Sequence, residues 1–309
     1  MAYDVANPES PLAATAANLE AGALAPGEAR INWLTHADGV SDYRPVYSPD
    51  GSAVLFERTV IGSGKTTLYI LRLDVPGAEP EPFLKDAPPE IGSQTRPDWS
   101  WSTDEVAFCI GDNGPICLAR GDGTWIGAIA GTEGMIYPSW YADGRSMAVM
   151  SHLNAPRNVR IDRSGTVLER LTPEDLYAGM PSISHQDRPR LAFPGQPAVP
   201  PYEQQNNQIY ICTDATTAHK LDGQQGRAPW WTPNGELLAF ESNRATGNAW
   251  EYAIYISTPD GSYQVQITDV QFNAQHAKFS PNAERIVLCA QPRGGKGNPW
   301  AIGTVPFAT

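Results

Sequence analysis

Ala53-Val54-Leu55-Phe56 is apolar at every position, so the strand it predicts buries both of its faces. It follows Pro45-Val46-Tyr47 and a tight turn, Ser48-Pro49-Asp50-Gly51. Proline suits the first central position of such a turn, and glycine tolerates a positive φ. The unit returns five times: at Arg96-Pro97-Asp98-Trp99-Ser100, Tyr137-Pro138-Ser139-Trp140, Met180-Pro181-Ser182-Ile183, Pro229-Trp230-Trp231-Thr232-Pro233-Asn234-Gly235 and His276-Ala277-Lys278-Phe279-Ser280-Pro281. Each copy runs on to an apolar strand, as in Met147-Ala148-Val149, Leu238-Ala239-Phe240 and Ile286-Val287-Leu288. From Pro45 the spacings are 52, 41, 43, 48 and 48 residues. A sandwich would leave one strand face polar, whereas a sheet wedged between two like sheets needs both apolar. Six such units predict an all-β chain folded as a six-bladed propeller.

Third strands are predicted at Leu68–Leu73, Ile116–Leu118, Val159–Asp162, Ile209–Cys212, Ala253–Ser257 and Trp300–Val305. Fourth strands fall near Glu81–Leu84, Trp125–Ile129, Val167–Leu171, Thr217–Leu221 and Tyr263–Ile267, and the sixth unit ends without one. Ile31-Asn32-Trp33-Leu34-Thr35 is the spare strand, and its closest counterparts end in Leu171-Thr172 and Ile267-Thr268. It is predicted to complete the last blade and so close the ring, which removes a free sheet edge. Residues 1–30 read as an N-terminal arm and 31–309 as the propeller. Tyr47, Trp99, Trp140, Ile183, Trp231 and Phe279 recur at one register and are expected to pack blade against blade.

Long connections are expected together on one face: Arg58–Thr66, Ser151–Arg157, Pro194–Asn207, Glu241–Asn248 and Ala290–Pro299. Loops gathered at the axial opening of a rigid ring are where a ligand would bind. The residue preceding the Pro45 register sits at that opening: Arg44, Arg96, Tyr137, Met180, Ala228 and His276, with Tyr43, Arg227 and Gln275 one position earlier. Tyr43, Arg44, Arg96, Tyr137, Arg227, Gln275 and His276 are the candidate binding residues. Guanidinium forks match carboxylates and phosphates, and aromatic faces suit sugars. The plainer alternative pairs these arginines with Asp42, Asp98 and other nearby acids around a solvated channel. Phe193–Gln205 reads as too proline-rich for strand or helix, a rim or lid over Tyr137, Met180 and Arg227. Gly62-Ser63-Gly64-Lys65-Thr66 imitates a phosphate loop but joins two strands, with no helix to receive an anion. Arg293-Gly294-Gly295-Lys296-Gly297 offers a basic tip over the opening.

Net charge narrows the partners. At −12 the chain repels nucleic acid and anionic membranes as a whole, and no stretch reaches the length of a membrane span. The four cysteines lack metal-ligand spacing and read as free thiols, favouring a cytoplasmic location. A closed ring has no edge demanding a partner, so a monomer is expected.

The Pro-x-Trp/Tyr-Ser-Pro-Asp-Gly-x-x-Ile/Leu-Ala-Phe pattern resembles the repeat of the TolB-like six-bladed propellers, over about residues 31–307. Unit two departs at Trp101-Ser102-Thr103 and unit four at His185-Gln186-Asp187. Such repeats serve interaction proteins, peptidase propeller domains and polysaccharide lyases alike. In the related oligogalacturonate lyases a metal is held by a Gln and by His residues three and five positions later. The matching residues here are Gln271, Ala274 and His276, so the middle ligand is missing unless His152 or His185 replaces it. The preferred reading is a non-catalytic propeller, without cofactor, that binds a small anionic or carbohydrate-like ligand or a peptide segment. The alternative is a lyase acting on uronic-acid glycans, with His276, Tyr43, Tyr137 and Arg44 as chemistry-bearing residues and a divalent metal on Gln271 and His276.

Overall fold

The computed structural model describes residues 31–152, 155–293 and 297–307. The arm at 1–30 and Gly294–Lys296 of the basic tip lie outside the described residues. Six antiparallel sheets stand in a ring, five of four strands and one of five. The first blade runs outward from the axis as Val40–Tyr47, Ala53–Val60, Thr66–Arg72 and Glu81–Pro82. The other innermost strands are Gln94–Trp99, Met135–Trp140, the split pair Leu176–Ala178 and Ser182–Ile183, Arg227–Trp231 and Gln275–Phe279.

The sixth blade closes as expected. Asn32–Trp33 pairs antiparallel with Ala301–Pro306, bringing Asn32 opposite Thr304 and Trp33 opposite Gly303. The shared Leu/Ile-Thr ending of the outer strands has a physical reason. Thr35 Oγ1 accepts the Ile302 N–H at 2.9 Å, Thr172 that of Asn158 at 3.3 Å, and Thr268 that of Ile254 at 2.9 Å. Each buried hydroxyl satisfies a third-strand amide that the short fourth strand does not reach.

The recurring ring is the wedge between blades. Tyr47, Trp99, Trp140, Ile183, Trp231 and Phe279 are all 5% exposed or less. Each packs into the blade before it: Tyr47 against Val287 and Ile302, Trp140 against Ile116 and Leu118, Phe279 against Ile254 and Ile256. Complete burial of one such side chain contributes about 1.5–3 kcal/mol.

The turn chemistry repeats as well. Ser48 Oγ donates to Asp50 Oδ1 at 2.7 Å and accepts the Ala53 N–H at 2.9 Å; Thr232 with Asn234 and Ser280 with Asn282 do the same. Donation from Ser48, then from the Ser52 amide and hydroxyl, lowers the Asp50 pKa from 3.8 to about 2. A lowered carboxyl contributes stability above its unfolded pKa and loses it as the pH falls through the folded one. Replacing Asp50 by Asn should therefore flatten the stability loss measured by urea unfolding between pH 3.8 and about 2. An unchanged slope would show that the turn does not carry it.

One expectation is corrected. Phe193–Pro197 is not loop but the end of the strand Leu191–Pro197, paired with Gln208–Cys212 on one side and Leu176–Ala178 on the other. Pro194 and Pro197 have no N–H to donate, yet the Pro194 carbonyl still accepts the Gly179 N–H at 3.0 Å. Local propensity yields here to pairing on both edges. Only the remainder, from Ala198 to a short 3-10 turn at Gln204–Asn206, connects the strands.

Candidate functional site

Six residues with one backbone geometry line the axial opening. Arg44, Arg96, Tyr137, Met180, Ala228 and His276 have φ of 44°, 55°, 56°, 35°, 47° and 51°. Side chains other than glycine seldom adopt this left-handed region, and six at one register is a built feature. In five blades the ladder register shifts at this point, between Tyr43 and Val46, Thr95 and Asp98, Ile136 and Ser139, Arg227 and Trp230, and Gln275 and Lys278. In the fourth blade the strand breaks there instead. Such bulges re-aim a side chain, here into the channel. In five of the six blades the next residue is a proline, sitting where the ladder is interrupted, so its missing N–H costs no bond.

Four of the amides at this register are taken up by the preceding blade. The Arg96 N–H reaches Glu57 Oε1 at 2.6 Å and the His276 N–H reaches Glu241 Oε2 at 2.7 Å. At the equivalent positions of other blades the Tyr137 amide meets the Cys109 sulfur and the Arg44 amide meets that of Cys289. All four cysteines are free and buried. Burial pushes the Cys109 thiol up to about 12 and Cys289 well above its ordinary range, so these are packing groups and not nucleophiles.

The arginines are paired, though not with the acids nearest in sequence. Arg44 Nη1 forks onto Glu57 at 3.0 and 3.1 Å, and Arg227 Nε donates to Glu241. Asp42 instead holds Arg58, at 2.7 Å. Arg96 donates to Thr95 Oγ1 at 2.9 Å, to the Gly111 carbonyl at 3.1 Å and to Asp112. Burial raises the Glu241 carboxyl above its ordinary value, outweighing Arg227 beside it. Positive charge around the opening is therefore balanced: Arg44, Arg96, Arg227 and Lys278 face Glu57, Asp112, Glu241 and Asp98.

Polar and aromatic groups join the layers. Tyr43 donates to Gln275 Oε1 at 2.6 Å, which also accepts from Arg227 Nη2 at 2.8 Å. The Arg44 and Arg96 guanidinium carbons lie 5.7 and 4.8 Å from the centre of the Tyr137 ring. Tyr43 meets His276 edge-on at 4.8 Å. Burial, then Arg44, Arg227, Lys278 and Arg96, hold the His276 pKa well below 6.5, so its imidazole is neutral at neutral pH. Burial raises the Tyr43 phenol well above 10, so it keeps its proton.

Sequence reasoning missed the floor. Lys278 crosses from the sixth blade to the second, its Nζ 3.2 Å from the Pro97 carbonyl, 3.4 Å from Asp98 Oδ1 and 4.0 Å from the centre of the Trp230 ring. Asp98 Oδ2 accepts the Trp140 N–H at 2.8 Å. This plug makes the opening a cup of about 60 Å³, walled by Pro97, Pro138, Pro181, Pro229 and Met180. Glu57 and Glu241 were missed too. Their signal was a charge directly after Phe56 and Phe240, where an apolar run ends.

The metal-ligand pattern does not assemble. Gln271 is exposed on the short 3-10 turn Val270–Phe272, while His276 faces the cup among four cations. His185 packs edge-on against Trp101 at 5.0 Å and bonds the Trp140 carbonyl at 3.1 Å, at the short turns. His152 faces Asn113 Oδ1 at 3.3 Å. Among the described residues no three His, Cys, Asp or Glu side chains gather as ligands. Such a donor set does not fit a transition-metal ion.

No protein-family model matches the chain, and no curated protein matches it. Solved structures do share its fold. A putative TolB from Agrobacterium tumefaciens superposes with a TM-score of 0.61 at 16% identity, over 87% of this chain and 91% of its own. A Dyadobacter fermentans protein of unknown function gives 0.66 at 12%, over 90% and 98%. An oligogalacturonate lyase in complex with manganese gives 0.51 at 14%, over 90% and 93%. At these identities the likeness is one of fold, a TolB-like six-bladed propeller.

Proposed function

We propose that this chain is a non-catalytic binding propeller whose axial cup receives a small anionic group, a carboxylate on a compact ligand. The observation that carries the reading is the ring of left-handed bulges, which turns Arg44, Arg96, Tyr137 and His276 toward one opening. Both arginines keep a buried Nε–H with no hydrogen-bond partner among the described residues. A guanidinium with an unspent donor suits a carboxylate even where net charge is balanced.

Arg96 is the residue to change, because its acid partner Asp112 is exposed and survives unpaired in water. A hydrogen bond to a charged group contributes about 1.5–3 kcal/mol, so Arg96→Ala should weaken binding by about 10- to 100-fold. Calorimetric titration with a panel of small carboxylates and uronic acids, repeated on Arg96→Ala, is the test. Equal affinity in both proteins, or no saturable binding across the panel, overturns the reading.

A neutral imidazole beside two arginines favours one second reading, elimination from a uronate, with His276 as base and Arg44 or Arg96 on the carboxylate. Ultraviolet absorbance from an unsaturated product on acidic oligosaccharides would replace the first reading with this one.

A further inference from the structure

We propose that Lys278 is a carbonyl-capturing amine, and that the cup takes small 2-oxo carboxylates as an imine on its floor. The inference rests on the anion-binding reading and adds the ligand's second functional group. Lys278 is one of five lysines in the chain, and it lies at the bottom of the cavity whose mouth carries Arg44 and Arg96. Its side chain is 14% exposed, against the exposed Lys65, Lys85 and Lys220.

Three features of the floor suit the chemistry. Imine formation needs an unprotonated amine, and burial lowers the Lys278 pKa although Asp98 opposes the change. It also needs somewhere for the ammonium proton to go, and Asp98 Oδ1 stands 3.4 Å from Nζ. Finally it releases water, and a wall of four prolines, Met180 and Trp230 disfavours the return of water to the imine. A carboxylate held at Arg44 or Arg96 would place an adjacent carbonyl deeper in the cup, toward Nζ. The amine nitrogen attacks the carbonyl carbon and a C–N bond forms as the C=O π bond breaks. The oxygen takes up the two protons that the amine nitrogen gives up, its remaining C–O bond breaks as the C=N bond forms, and it leaves as water, giving the imine. Nothing is oxidised or reduced.

Such a cup would concentrate or sequester a reactive oxo acid, a task distinct from holding an inert carboxylate. Glyoxylate with cyanoborohydride traps the imine as a stable secondary amine, which peptide mapping locates. Anchoring raises local concentration, so Lys278 should be modified about tenfold or more faster than Lys65, Lys85 or Lys220 in the same sample. The exposed lysines act as internal standards, so no variant is required. Excess acetate should slow the reaction at Lys278 alone, and Lys278→Met should remove that site while leaving the others. Modification spread over the exposed lysines with Lys278 spared overturns the proposal. If Lys278 is spared while acetate still binds in calorimetry, imine capture fails and the anion-binding reading stands; absence of both removes the two together.

Discussion

Replacing Glu241 by alanine is expected to cost about 3–5 kcal/mol of folding stability, the usual penalty for breaking a buried ion pair from one side. The Glu241 side chain has no exposed surface, and its two oxygens are committed to Arg227 Nε and the His276 amide. Alanine leaves a guanidinium with only 14% exposure facing an empty site, and frees the amide of a strained residue. Among the described residues Arg227 would keep Gln275 Oε1, at 2.8 Å, and the Tyr252 ring, 4.2 Å from its carbon. Changing both Glu241 and Arg227 to methionine should recover much of the loss, because no charge is then stranded. Urea unfolding of the two single variants and the double variant measures this. A loss below about 1 kcal/mol in Glu241→Ala would mean that the pair behaves as an exposed one.

The second large effect concerns ring closure. A chain shortened to begin at His36 loses the outer strand of the sixth blade. Gone are the Thr35 hydroxyl on the Ile302 amide, and the Leu34 and Thr35 amides on the Ile302 carbonyl at 2.8 and 3.1 Å. Ile31, buried beside Ile286 and Val305, goes too, as does Trp33 with its edge-on contact to Phe272. Burial and hydrogen bonding together put the cost at about 5 kcal/mol. The bared edge of Ala301–Pro306 should also recruit other chains. Thermal unfolding with sedimentation velocity would register both outcomes; a monomer with unchanged Tm would show that the ring does not depend on this strand.

Much of the fold was legible because each unit carries its own turn chemistry. Ser48-Pro49-Asp50-Gly51 and its relatives are local signals, and apolar residues on both strand faces exclude a two-layer sandwich. Closure was legible from Leu34-Thr35, since the hydroxyl that ends an outer strand does one job in several blades. The mouth register was legible too, because it falls at one fixed position in each repeat, directly ahead of the Pro45 register. What could not be read were contacts made only once the ring is shut. Tyr43 and Gln275 lie 232 positions apart, and Lys278 reaches a carbonyl 181 positions away. The strand through Pro194 was hidden by composition that argues against it. Glu57 and Glu241 resembled surface charges at strand ends until neighbouring blades enclosed them.

The capture of four mouth amides by the preceding blades has a consequence for engineering. Four mouth residues are aimed by the blade before them: Glu57 orients Arg96, Cys109 orients Tyr137, Glu241 orients His276 and Cys289 orients Arg44. A single repeat grafted into another propeller would thus carry the side chain without its direction. Recognition would transfer only with adjoining repeats moved as a pair, donor of the carboxylate or thiol first and recipient second.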